Sequence, residues 1–78
     1  MSSDNFLKYV VSFLVDKPEE VVVKEIDNEE SSIFELRVAE GDVGKVIGKN
    51  GRIAKSLRTL TTASGLKNNK NYTLEIVD

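Results

Sequence analysis

Seventy-eight residues, 40% hydrophobic and 31% charged, suffice for one compact domain with a small core (residues 1–78) and leave no room for a second. The chain holds neither cysteine nor histidine, so disulfide staples, the commonest soft metal ligands and the commonest general base are all missing; this removes most enzyme chemistry, and neither a metal nor a cofactor is expected. The formal net charge of −2 hides a segregation: residues 1–40 carry four basic against ten acidic groups, residues 41–70 carry seven basic groups against Asp42 alone, and Glu75 and Asp78 close the chain.

The first residues, Met1 to Asn5, lack the basic start of a secretion signal. No apolar run approaches the roughly 20 residues needed to cross a bilayer, so no membrane contact and a cytoplasmic location are expected. Ser3 or Asp4 is placed to cap a helix in which Phe6, Leu7, Val10, Val11, Phe13 and Leu14 recur at helical spacing, with Pro18 forcing its end. Tyr9 and Val15 widen its apolar arc beyond what one sheet face needs, and a wider stripe can serve a partner.

Residues 21–26 are rich in valine and read as a strand, Asp27 to Ser32 is turn chemistry, and residues 33–38 alternate with Phe34, Leu36 and Val38 on one face, which predicts a hairpin. Residues 42–47, bounded by Gly41 and Gly48, predict a two-turn helix. After Gly51 a longer helix places Ile53, Ala54, Leu57, Leu60 and Thr61 on one face, with Gly65 as its expected stop. Residues 67–71 form a loop, and residues 72–77 alternate as a third strand with Tyr72, Leu74 and Ile76 on one side. The predicted order is α-β-β-α-α-β, an α+β fold without internal repeats or linker.

The Gly48-Lys49-Asn50-Gly51 loop falls between two helices. A turn that must let a phosphate approach the main chain has no room for a Cβ, and glycine also supplies positive φ. Gly51 opens the next helix, whose unpaired N–H groups and positive dipole end point toward the same anion, and Lys49 and Arg52 add full charges. The loop also fits a plain reading, a C-cap at Gly48 followed by a tight helix-helix turn at Gly51. The basic run has its own plain reading as a solvated face, but five of its seven members lie within Lys45 to Arg58, the stretch that holds Gly44, Gly48 and Gly51.

The segment Val46-Ile47-Gly48-Lys49-Asn50-Gly51-Arg52-Ile53 resembles the signature of KH domains, and the element order resembles their type II arrangement. Within that group, the stretch from Gly44 through Thr59 and the tail Leu74 to Asp78 are similar to the small bacterial single-domain family of KhpA type. The resemblance covers nearly the whole chain. It implies a three-stranded mixed sheet with three helices on one face, and a groove that holds about four nucleotides of single-stranded RNA. Gly48 to Gly51 would hold the sugar-phosphate backbone, and Val46 or Ile47, Ile53, Leu57 and, less centrally, Val38 would floor the groove. The implied RNA-binding set is Lys45, Ile47, Gly48, Lys49, Asn50, Gly51, Arg52, Ile53, Lys55 and Leu57. Ile53 and Leu57 also fit pure core positions, because helix residues spaced by four commonly pack on a sheet. Arg58 fits either a phosphate contact or simple solvation.

Aromatic residues are absent near the loop, which argues against recognition on stacking platforms and for modest sequence preference. A nucleotide-hydrolysing P-loop does not fit, since Gly44 and Gly48 enclose three residues rather than four and Asn50 stands where a magnesium-binding hydroxyl belongs. The competing function is protein interaction. The resemblance implies self-association as a homodimer, pairing with a larger RNA-binding protein of KhpB (Jag) type, and an RNA chaperone role linked to cell elongation and envelope growth. Self-association would use the first helix or the long helix near Leu60 and Ala63.

Overall fold

The computed structural model describes residues 3–77; Met1, Ser2, Asp78 and the side chain of Ser3 lie outside the described residues, and the expected Ser3 cap with them. The elements follow the expected order: α1 (Ser3–Ser12), β1 (Val22–Asp27), β2 (Ser31–Arg37), α2 (Val43–Ile47), α3 (Arg52–Lys67) and β3 (Asn71–Val77). Single 3-10 turns occupy Pro18–Glu20, Glu40–Asp42 and Lys49–Gly51. Asp4 lies inside the first turn of α1, where its charge suits the positive end of the helix.

β2 is the central strand. It runs antiparallel to β1, with Val23 opposite Leu36 and Glu25 opposite Phe34, and parallel to β3, with Phe34 beside Leu74 and Leu36 beside Ile76. The antiparallel pair needs only a short turn, closed by the Asn28 N–H on the Ser31 carbonyl at 2.8 Å. The parallel pair requires a long crossover, and that crossover consists of α2, the glycine loop and α3. The topology therefore carries the glycine loop on the connection that lies over the covered face of the sheet.

The core joins Leu7 and Val11 of α1, Val21 just before β1, Phe34 and Leu36 of β2, Val46 of α2, Leu57 of α3 and Leu74 of β3. Along β2 the buried residues alternate as Ser32, Phe34 and Leu36. On the other face Val22, Lys24, Ile26, Thr73 and Glu75 are exposed, so the helices cover one side only. This is the three-stranded mixed sheet of a type II KH fold.

Several boundaries differ from the sequence expectation. α1 stops at Ser12, well before Pro18: the N–H groups of Phe13 and Leu14 bond three residues back, to Val10 at 3.2 Å and Val11 at 2.9 Å, and Ser12 Oγ donates to the Tyr9 carbonyl at 2.6 Å. Pro18 instead opens the Pro18–Glu20 turn, where its missing N–H costs nothing. Ser31 and Ser32, expected in the turn, belong to β2, because fully buried Ser32 donates its Oγ to Asp27 Oδ1 at 2.7 Å and is satisfied across the hairpin.

The expected two-turn helix at residues 42–47 is shorter, starting at Val43 after the Glu40–Asp42 turn. Asp42, only 3% exposed, accepts the backbone N–H groups of Asp16 at 3.2 Å and Lys17 at 3.0 Å, tying the α1–β1 connection to the start of α2. Gly65 does not end α3, which continues to Lys67. A Cβ on Gly65 would lie 2.6 Å from the Lys70 carbonyl oxygen and 2.8 Å from Tyr72 Cγ, so this glycine serves close approach to β3. Leu60 lies off the buried face of α3 and is exposed.

Candidate nucleic-acid interface

The loop is built from three left-handed backbone positions. α2 closes with the Gly48 N–H on the Gly44 carbonyl at 2.9 Å, and Gly48 then turns to φ 78°, ψ 175°, a region essentially reserved for glycine. A Cβ there would come within 2.6 Å of Ile53 Cγ1, so Ile53 occupies the space that the missing side chain leaves. Asn50 (φ 58°, ψ 25°) and Gly51 (φ 72°, ψ 14°) follow in the αL region, which asparagine tolerates and glycine prefers. At Gly51 a Cβ would meet nothing within 4 Å, so the outer surface of the turn is open. No side chain caps α3 and no acidic residue enters its first turn, so its dipole end faces outward uncompensated.

Lys49 and Arg52 are exposed beside the turn, and Lys55 and Arg58 are exposed along the first two turns of α3. Among the described residues the ion pairs join Lys17 to Glu20, Lys45 to Asp16 and Lys70 to Asp27, so these four cations are in none of them. The sequence has no acidic residue between Asp42 and Glu75. The local field around the loop is thus positive despite the net charge of −2.

The other residues expected at the site divide. Ile47, the last residue of α2, and Ile53, the second of α3, are half-buried and keep accessible surface beside Gly48. Val38 is half-buried just past the end of β2 and packs against the core. Val46 is fully buried and Leu57 only 3% exposed, both inside the core rather than on the surface. Lys45 turns away to pair with Asp16, and that hydrogen bond holds its ammonium above the ordinary lysine value. Sequence spacing carried no sign of this pairing, because Asp16 is 29 residues distant and meets Lys45 only after the α1–β1 connection folds back.

Phe34 and Tyr72 stack edge to face, centroids 5.0 Å apart, with Phe34 in the core, so neither offers a free ring face beside the loop. Among the described residues, no cluster of three or more carboxylate, histidine or cysteine side chains is placed to hold a metal, and no helix is long and apolar enough to cross a membrane.

Residues 4–76 match the family model described as KhpA/KhpB, KH domain. The chain is 49% identical over 73 residues to the RNA-binding protein KhpA of Chlamydia trachomatis, covering 94% of both chains. It is 51% identical over 71 residues to that of Clostridium perfringens, covering 91% of this chain and 95% of the relative. With the protein of the same name from Treponema pallidum the identity is 49% over 75 residues, 96% of this chain and 94% of the relative. No solved structure matches. A glycine loop on a parallel crossover, set in an α-β-β-α-α-β chain that matches such relatives at about half its positions over more than nine-tenths of its length, places this protein in the KhpA/KhpB family of KH domains.

Proposed function

We propose that the whole chain is one non-enzymatic KH domain that binds short single-stranded RNA, clamping its sugar-phosphate backbone against Gly48, Lys49, Asn50 and Gly51. The observation that carries this reading is the open turn at Gly51, flanked by Lys49, Arg52 and Lys55, none of them in an ion pair among the described residues. A phosphate approaches main chain that no Cβ shields, and the positive helix end adds to the two nearest cations. Ile47 and Ile53 present apolar surface to the bases; Leu57 supports them from the core. Lys45, while it holds Asp16, is locally neutralised and takes no direct part in the clamp. One small groove with few phosphate contacts makes binding weak, salt-sensitive and modest in sequence preference. The names of the relatives support the RNA assignment.

The test is Lys49→Asp combined with Asn50→Asp, both at exposed positions and with a residue type that tolerates the αL backbone of position 50. Affinity for a mixed set of short single-stranded RNAs should fall by roughly tenfold or more, and wild-type affinity should fall with added salt. Unchanged affinity in the variant would remove the loop from the site.

In the cell, this reading makes the protein a cytoplasmic RNA chaperone or post-transcriptional regulator linked to cell elongation and envelope growth, on the strength of the family resemblance. A second reading, a homodimer or the small partner of a KhpB (Jag)-type protein, is favoured by the exposed aromatic side chains of Phe6 and Tyr9 on α1 and of Phe13 just past its end.

A further inference from the structure

Of the six asparagines in the chain, Asn50 alone precedes a glycine. After the other five a side chain crowds the next backbone nitrogen, whereas at Gly51 even an added Cβ would meet nothing within 4 Å. Asn50 is exposed, and no hydrogen bond engages its side chain among the described residues. The closed turn holds the reactive atoms apart: at ψ 25° the Gly51 nitrogen points away from the Asn50 side chain. Two bonds keep it there, from the Gly51 N–H to the Gly48 carbonyl at 3.2 Å and from the Arg52 N–H to the Lys49 carbonyl. Both lie in a surface turn, where water can take their place as the turn opens. Asn69 offers an internal comparison, because it shares the αL backbone (φ 57°) but is followed by Lys70, whose N–H is bonded to the Gly65 carbonyl at 2.8 Å.

We propose that Asn50-Gly51 is a self-modification site: in RNA-free protein Asn50 loses its amide nitrogen and becomes aspartate or isoaspartate, which disables the clamp, while bound RNA protects it. When the turn opens, the Gly51 nitrogen gives its proton to solvent base and attacks Asn50 Cγ. The new N–Cγ bond closes a five-membered succinimide, the Cγ–Nδ2 bond breaks, and Nδ2 leaves as ammonia with a proton from water. Water then adds to one of the two imide carbonyls. Breaking N–Cγ restores the chain as aspartate; breaking the bond from that nitrogen to the Asn50 backbone carbonyl carbon leaves isoaspartate, with the chain running through the side chain. The sum is amide plus water giving carboxylic acid plus ammonia, and nothing is oxidised or reduced.

The groups that make the loop attractive to phosphate also favour this reaction. The uncompensated positive end of α3 and the neighbouring Lys49 and Arg52 stabilise both the deprotonated nitrogen and the oxyanion of the tetrahedral intermediate. The product reverses that field, since a carboxylate then stands where the phosphate is held. Isoaspartate also lengthens the main chain by one methylene within the turn. Protection and inactivation both rest on the loop being an RNA clamp, as argued above. A bound phosphate keeps the turn closed, and its negative charge opposes loss of the Gly51 proton.

The experiment incubates the full chain at neutral and mildly alkaline pH, with and without a short oligouridylate, and follows aspartate and isoaspartate at each asparagine by peptide mapping. An unstructured peptide spanning Lys45 to Lys55 runs alongside as the reference. Conversion should occur at Asn50 and not at Asn69, rise with pH, and stop in Gly51→Ala, whose methyl group shields the nitrogen. With RNA at ten times its Kd about a tenth of the chains are free, so conversion should slow roughly tenfold. Converted protein should bind the RNA about fivefold or more weakly, the Coulomb penalty of one charge beside a phosphate in water. An intact Asn50 after the peptide has converted fully overturns the proposal, as does conversion that RNA leaves unslowed. Intact Asn50 together with lost RNA binding in Lys49→Asp with Asn50→Asp defeats the modification alone. Converted protein and that double variant both binding RNA like wild type would defeat the clamp as well.

Discussion

At Gly48 an added methyl group would lie 2.6 Å from Ile53 Cγ1, whereas at Gly51 it would meet nothing within 4 Å. The two backbones differ as well, since Gly51 sits in the αL region open to asparagine and Gly48 lies outside it. Gly48→Ala should therefore cost about 2–5 kcal/mol, from backbone strain together with overpacking. Gly51→Ala should cost about 1 kcal/mol, from strain alone. Urea midpoints of the two variants measure the difference, and equal losses would mean that Ile53 yields freely. The pair of glycines was legible in the sequence because positive φ leaves a residue-type signature. That Ile53 fills the space beside Gly48 was not, because the contact is set by the angle between α2 and α3. Depth was hidden too: Ile53 and Leu57 share a helical face by spacing, yet the first keeps surface at the turn and the second sinks into the core.

The end of α3 shows how one element can use an unexpected residue for a familiar task. Asn69 takes φ 57°, the Lys70 N–H reaches back to the Gly65 carbonyl at 2.8 Å, and the Asn69 N–H bonds the Leu66 carbonyl at 3.2 Å. This is a Schellman closure with asparagine in the position usually held by glycine. Gly65 looked like the stop because glycine commonly is one, but its constraint comes from Tyr72 and the Lys70 carbonyl across the turn. The same turn delivers Lys70 to Asp27 at 3.0 Å, joining the start of β3 to the hairpin. The Asp27 carboxyl is held below its ordinary 3.8 first by the Ser32 hydroxyl and then by Lys70. A depressed carboxyl stabilises the fold above its ordinary value, and that contribution fades as pH falls through the folded-state value. Asp27→Asn should thus unfold at a lower temperature than wild type near neutrality, and the gap should close on acidification below 3.8. A gap that stayed constant across that range would locate the loss elsewhere than in the carboxylate charge.

Across the whole molecule charge and apolar surface are divided between opposite tasks. The basic groups gather on the crossover that carries the loop, the acidic groups on α1, the hairpin and their connections, and Tyr9 of α1 and Phe13 just past its end are left 56% and 72% exposed in an edge-to-face pair. Exposed side chains of this kind contribute little to folding, so Tyr9→Ser with Phe13→Ser should shift stability by under about 1 kcal/mol. The same variant should raise the concentration at which the chain self-associates, as followed by sedimentation. A wild-type chain that stays monomeric at high concentration, or a variant that associates unchanged, would discard the dimer reading.

Element order, the hairpin, the core residues Phe34, Leu36 and Leu74, the glycine loop and the basic run around it follow from the sequence itself, because apolar periodicity and backbone-restricted residue types act over a few neighbours. The parallel pairing of β3 with β2, the burial of Asp42 beneath two backbone N–H groups, the capture of Lys45 by Asp16 and the role of Gly65 against Tyr72 depend on segments far apart in the chain. Only the folded crossover brings those segments together, and local preference carries no record of which distant group will be met there.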